Sequence, residues 1–317
     1  MTDGFPWKPI IASGTVPAAC ICSRQLLPFI CGSWDTKFPT AVLDVNETPD
    51  PEEFEDAYMR YANARVCPPR PAEKTYRVRG TKEPFYTLNV IDGIMSVSAV
   101  QKVAKQYQAS ITEYLNAVLL YSLLQKQEHD FHLRLRPVRI AMPVNLRRFF
   151  PSKTLRNFIT MVYPSIDPRL GDYTFEEIVT QVHHYMRYYI NSKFLRGDIT
   201  TNASTQRNPL IRIVPLFLKD FVVRQFYQRV QDKNSSAGLT NMGAIRVPDD
   251  MKPYLERFDI YMGIPYSQRT NCAIVSFEDT LTVNFASCII EADVERRFFQ
   301  KLVEDGIPVT IESNREL

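Results

Sequence analysis

Histidine is scarce in this sequence, with four residues in a chain of 317, at positions 129, 132, 183 and 184. Since imidazole is the side chain whose ordinary pKa lies nearest neutrality, few general bases are available for chemistry at pH 7. The usual catalytic signatures are missing as well. There is no GxSxG elbow, no GxxxxGK[ST] phosphate loop, no HExxH helix and no GxGxxG turn. The six cysteines, at 20, 22, 31, 67, 272 and 288, have neither the paired spacing of a zinc ribbon nor the density of a secreted disulfide scaffold. Cys20, Cys22 and Cys31 have no histidine beside them to complete a metal set, so no metal is expected. No apolar run approaches the roughly 20 residues that span a bilayer, and Asp3 stands where a secretion signal needs positive charge. A cytoplasmic protein without a membrane span is expected. An excess of either charge is absent too: 38 basic residues face 35 acidic ones, and no long basic stripe is present to bind nucleic acid.

What is present is enough for a packed core, since 45% of the residues are hydrophobic and 12% aromatic. The length allows one large or two ordinary domains. The first forty residues differ in texture from the rest: they hold both tryptophans (Trp7, Trp34), and Pro6, Pro9, Pro17 and Pro28 interrupt every apolar run. Irregular structure is expected to about residue 45. Residues 51–64 open with acids and a proline, as a first helical turn does, and the cluster Cys67-Pro68-Pro69-Arg70-Pro71 follows as the best linker candidate. An irregular N-terminal segment with a linker over 1–75 and a larger domain over 76–317 are the expected units.

Within the larger unit a strand is predicted over 86–91, turning at Asp92-Gly93 into a helix carrying Val97, Val100, Val103, Ala104 and Tyr107 at helical spacing. Ser110-x-x-Glu113 is a capping box ahead of a nearly all-apolar helix that must be buried on most sides. Strands are predicted over 138–146 and 157–166, and Thr174-x-x-Glu177 starts a helix running to about Leu195. An apolar-aromatic helix follows over 209–231, kinked at Pro215. Then come strands at 238–247 and 258–264, and a hairpin in which Glu278-Asp279 joins 271–277 to 280–287. A last helix over 291–304 puts Val294, Phe298, Phe299, Leu302 and Val303 on one face and stops at Gly306. Helices interleaved with strands and closing on a hairpin give an α/β sandwich with a mixed sheet.

His129 and His132 flank an aspartate in a polar connection, which suits a loop better than a metal. His183 and His184 are adjacent within a predicted helix, so their rings point about 100 degrees apart, as on a helix surface.

Four segments occur in a telling order: Tyr86 to Leu124, MPVNLRRFFPSKTLRNFITMVYPSI (142–166), GLTNMGAIRVP (238–248) and FFQKLVEDGIPVTIESN (298–314). In that order they resemble the opening helices, the "VNLR … NF" strand pair, the "SNLG" strand and the closing helix and strand of alcohol acetyltransferase-like members of the CoA-dependent acyltransferase superfamily, which includes chloramphenicol acetyltransferase and condensation domains. The resemblance covers residues 50 to 317. It implies a chloramphenicol acetyltransferase-like two-layer sandwich, mainly the second of two such domains. It also implies acetyl or acyl transfer from CoA to a small-molecule alcohol, with acetyl-CoA or acyl-CoA as co-substrate and no tightly bound cofactor.

In this superfamily an HHxxxDG motif supplies the base, its aspartate pairs with an arginine, and its glycine permits a tight turn. This sequence has no HHxxxDG, but Met1-Thr2-Asp3-Gly4 looks like the motif's last four positions. On that alignment Asp3 is the structural aspartate and Arg147 its partner; the alternative is a chance MTDG beside a surface arginine. Asn157, Thr240 and Asn241 match positions near the tunnel, where they serve either the substrate or the strand ends. The chain is accordingly expected to be an N-terminally truncated or frame-shifted product, inactive alone, that associates with a missing N-terminal acyltransferase domain. A non-catalytic binding domain or gene fragment is the first alternative. A condensation-domain-like protein of peptide synthesis is the second, although nothing here resembles a carrier or adenylation domain.

Overall fold

The structure of the chain is a computed structural model and describes residues 51–63, 73–84, 87–130, 134–207, 234–265 and 268–315. Asp3, His132, the irregular stretch to residue 45, the proline cluster 67–71 and the helix expected over 209–231 with its Pro215 kink lie outside the described residues.

Eight strands among these residues form one mixed sheet, in the order β3-β2-β5-β6-β7-β1-β8 with β4 also on β2. They are β1 (Asn89–Ser96), β2 (Val138–Asn145), β3 (Ile159–Val162), β4 (Ser165–Ile166), β5 (Ala237–Ile245), β6 (Thr270–Phe277), β7 (Thr280–Ser287) and β8 (Thr310–Ser313). The β2–β5 and β5–β6 pairs are parallel and the rest antiparallel. The helices are α1 (Ala57–Tyr61), α2 (Val97–Gln106), α3 (Ile111–His129), α4 (Phe175–Tyr189), α5 (Ser192–Arg207) and α6 (Asp293–Glu304). The expected α/β sandwich with a mixed sheet is the architecture found.

The core lies between one face of the sheet and α2, α3, α4 and α6. Val138, Ile140 and Met142 of β2, Leu239 of β5, Ile274 of β6 and Phe285 of β7 meet Leu115, Leu119, Val182 and Phe298 there. The capping box forms as predicted: Ser110 Oγ accepts the Glu113 amide, and Glu113 Oε2 accepts the Ser110 amide at 2.7 Å. α3 is central, with Tyr114 through Leu120 all buried, because α4 and α6 flank it and β2 underlies it. A second apolar cluster joins Ala57 and Ala62 to Leu146, Phe150, Phe158, Leu195, Ile199 and Ala203. There Tyr58 packs edge-on against Phe158 at 5.2 Å and donates its hydroxyl to the Ile159 carbonyl.

Several expectations are corrected. The helix expected over 51–64 is a 3-10 turn, Pro51–Phe54, followed by α1, because the Asp56 carboxylate accepts the Tyr58 amide and starts a new helix. Asp92-Gly93 is no turn: β1 runs straight through it, and the glycine is needed because Phe299 of α6 lies against it. The stretch 157–166 is two short strands parted at Tyr163-Pro164, since proline has no amide for a ladder. α4 stops at Tyr189, and Asn191 Oδ1 accepts the Lys193 and Phe194 amides to start α5. Val303 is 57% exposed rather than on the buried face. Residues 258–264 are not a strand. They cross the sheet's second face, and polar side chains of the strands hold them in place of a backbone ladder: Thr282 donates to the Phe258 carbonyl, Asn284 accepts the Ile260 amide, and Asn271 donates to the Gly263 carbonyl.

Candidate functional site

β2 and β5 run side by side but share only two register pairs, Ile140 with Ala237 and Ala141 with Gly238. Beyond these, β2 runs on to Asn145 paired on its far edge with β3, and β5 runs on to Ile245 paired on its far edge with β6. The sheet therefore opens between the carboxyl ends of two parallel strands, the place where open α/β sheets bind ligands.

The start of α3 stands over this opening and touches both lips. The Thr112 hydroxyl accepts a hydrogen bond from Asn241 Nδ2 of β5 at 2.8 Å. One turn on, Asn116 Nδ2 donates to the Thr112 carbonyl at 2.9 Å and lies 3.3 Å from Met142 Sδ of β2. Asn116 is fully buried, and its Oδ1 has no hydrogen-bond partner. Leaving such an acceptor unsatisfied costs about 1–3 kcal/mol.

Beside the opening β5 is bulged. Its register shifts between Asn241 and Ala244, and the Gly243 amide donates to Asn241 Oδ1 at 2.8 Å. Gly243 has φ +74, a conformation that glycine adopts without a Cβ penalty. Bulges of this kind re-aim side chains and are over-represented next to active sites.

The sequence-predicted residues that are described gather at this end of the sheet. Thr240 and Asn241 are on the β5 lip on opposite faces, Thr240 buried and Asn241 turned to α3. Arg147 and Asn157 are on the β2–β3 lip. Asn157 is exposed. The Arg147 guanidinium donates to the Thr154 carbonyl at 2.8 Å and the Arg156 carbonyl at 2.6 Å, closing the loop between the two strands. Burial lowers its pKa from the ordinary arginine value, and no carboxylate among the described residues pairs with it. Sequence reasoning missed Thr112, Asn116 and Met142. The available signal was Asn116 itself, an amide in the apolar run of α3.

The histidines lie elsewhere. His183 of α4 packs against the α3 capping box, with Nδ1 3.4 Å from Glu113 Oε2 and without a hydrogen-bond partner. His184 is exposed, its ring edge-on to that of His183 at 5.6 Å. His129 contacts the Gln125 carbonyl at the end of α3. Cys272 is fully buried, which raises its thiol pKa, and Cys288 is half-buried. Among the described residues no three histidine, cysteine or acidic side chains are grouped as metal ligands, and no helix is long and apolar enough to cross a membrane. Thr112, Asn116, Thr240 and Asn241 offer hydrogen bonds and no titration near neutrality, so this arrangement has the chemistry to orient a ligand and none to move protons.

The sequence matches no protein-family model and no curated protein. Among solved structures it is similar to a trichothecene 15-O-acetyltransferase from Fusarium sporotrichioides, at TM-score 0.48 and 14% identity over 73% of this chain and 49% of that one. It is also similar to the condensation domain of the enacyloxin polyketide synthase, at TM-score 0.43 and 15% identity over 78% and 45% of the two chains. A third is a wax ester synthase/diacylglycerol acyltransferase from Marinobacter aquaeolei VT8, at TM-score 0.43 and 10% identity over 73% and 52%. The folds this chain is similar to are those of acyltransferases and condensation domains. It spans about half the length of the chains it matches.

Proposed function

We propose that the chain forms one wall of an acyl-transfer site that takes an acyl-CoA and a small alcohol, and that by itself it binds but does not turn over. The observation that carries this reading is the opening between β2 and β5, flanked by the VNLR and TNMG segments and crossed by Thr112, Asn116 and Asn241. Asn241 and Thr112 hold the strand against the helix, and behind them the buried Asn116 Oδ1 is an acceptor without a partner, which a thioester arm carrying amides would satisfy once the strands part further. No HHxxxDG occurs in the sequence, and His183 and His184 are on α4 beside the capping box. Loss of a general base removes roughly 100- to 10,000-fold in rate, which is why negligible turnover is expected.

Calorimetric titration with acetyl-CoA, paired with a thiol-release assay using acetyl-CoA and simple alcohols, tests both halves of the reading. The expectation is saturable binding with no release above background. Turnover that vanishes in His184→Ala would overturn the inactive half, and an absence of any CoA binding would overturn the site.

A further inference from the structure

We propose that the corner where α4 passes into α5 is a membrane-docking patch, which lays a cluster of aromatic rings and a set of unpaired cations on the headgroup layer of an anionic bilayer. This goes beyond acyl transfer and does not rest on it.

α4 buries Ile178, Val179, Val182 and Met186 against the core, which leaves Tyr188 on its outer side. The chain then turns, and the Asn191 side chain caps the start of α5 by accepting the Lys193 and Phe194 amides. That turn folds Phe194 back onto α4, with its ring 5.0 Å from Tyr188 and 5.1 Å from Tyr189. Tyr189 in turn stacks on Tyr185 at 4.4 Å. The rings form one continuous patch, yet Tyr188 is 61% exposed and Tyr189 38%. Neither of these two hydroxyls has a hydrogen-bond partner among the described residues. A single exposed tyrosine is ordinary, but a packed cluster left open to solvent marks an interaction surface.

The charges around the patch are of one sign. Between Glu177 and Asp198 the sequence holds no acidic residue, while Arg187, Lys193 and Arg196 are exposed and Asp198 is half-buried. Exposed cations such as Arg60, Lys153 and Arg169 are held by carboxylates. Arg187, Lys193 and Arg196 have no ion pair among the described residues. Helix stability accounts for only part of this: Arg187 suits the last turn of α4, but Lys193 stands in the first turn of α5, where the helix dipole favours an acid and none is present.

Rings with an apolar body and a polar tip, set among cations, have the chemistry of the bilayer interface, where tyrosine is enriched and anionic headgroups attract lysine and arginine. An acidic peptide fits less well, since a corner between two helices has no strand edge for an extended chain to join.

Flotation of the full chain with vesicles of phosphatidylcholine containing about 30% phosphatidylserine, beside vesicles of phosphatidylcholine alone, tests the proposal. Binding is expected to the anionic vesicles only, and it should weaken as salt is raised. Arg187→Gln and Lys193→Gln should each weaken it roughly fivefold and leave the thermal midpoint unchanged. Tyr188→Ser, which removes apolar contact but no charge, should weaken it at low and high salt alike. No flotation with the anionic vesicles overturns the proposal, as does equal flotation with the neutral ones or binding that survives the combined Arg187→Gln and Lys193→Gln. Retention by polyglutamate without flotation overturns it in favour of an acidic polypeptide.

Discussion

Phe299 occupies the space that a side chain at position 93 would need: a Cβ built on Gly93 would stand 2.1 Å from the ring carbon Cε1 of Phe299. The missing side chain in the middle of β1 is what lets α6 lie on the sheet with Phe285, Phe298 and Phe299 packed edge to face. Gly93→Ala is expected to destabilise the protein by about 3 kcal/mol, the upper part of the range for overpacking a core. The smaller residue in Phe299→Leu should make the same alanine less costly, so denaturant titration of the two single variants and the double should give less than additive losses. Additive losses would mean that the clash is relieved elsewhere.

The same glycine shows where the sequence was legible and where it was not. Periodicity and capping signals located α2, α3, α4, α6 and the β6–β7 hairpin, because those signals depend on neighbours along the chain. Asp92-Gly93 reads locally as a turn, and only the ring of Phe299, some two hundred positions away, makes it a strand interior. Residues 258–264 alternate like a strand, but their partners are the side chains of Thr282, Asn284 and Asn271, which periodicity cannot reveal. The site divides in the same way. The β2 and β5 segments were recognisable as text, but their parting after Ala141 and Gly238 is a fact of register alone.

Asn241 and Thr112 should behave as a coupled pair. Their 2.8 Å hydrogen bond ties the bulged strand to the first turn of α3, and such a bond contributes about 0.5–1.5 kcal/mol net. Asn241→Ala and Thr112→Val should each cost about that much, and the double variant should cost less than their sum. Asn241→Ala should cost more than Thr112→Val, since Asn241 Oδ1 also accepts the Gly243 amide within the bulge. Equal losses would show that the bulge holds without its side-chain cap.

Glu295 gives a pH dependence of stability with a defined sign. It is 1% exposed on α6, and the Thr270 hydroxyl donates to its Oε1 at 2.6 Å. Burial raises its pKa, against the lowering effect of the Thr270 hydrogen bond. Because the folded value lies above the unfolded one, its contribution is complete below the ordinary glutamate range, about pH 4.3, and is lost as pH rises through the raised value. Glu295→Gln keeps an acceptor for Thr270 and cannot ionise. Thermal midpoints of the two proteins should agree at about pH 4 and diverge towards pH 8 in favour of the glutamine variant. Divergence in the other direction would identify Glu295 as a paired anion.

Asn116 separates stability from function at the candidate site. A fully buried amide with an unsatisfied Oδ1 is a poor choice for packing, since leucine at that position would keep the branched shape, though larger, without an orphaned acceptor. Its donor bonds return little, because one goes to a helical carbonyl that the backbone already uses and the other to a thioether, a weak acceptor. Asn116→Leu should therefore fold as well as the parent or gain roughly 1 kcal/mol. If the orphaned oxygen is kept to receive a donor from a bound molecule, the same variant should bind acetyl-CoA several-fold more weakly while its denaturation midpoint stays level or rises. A loss of stability together with unchanged binding would make Asn116 a structural residue and move the site away from the opening between β2 and β5. Stability gained at the expense of binding is the expected signature of a polar group retained for function.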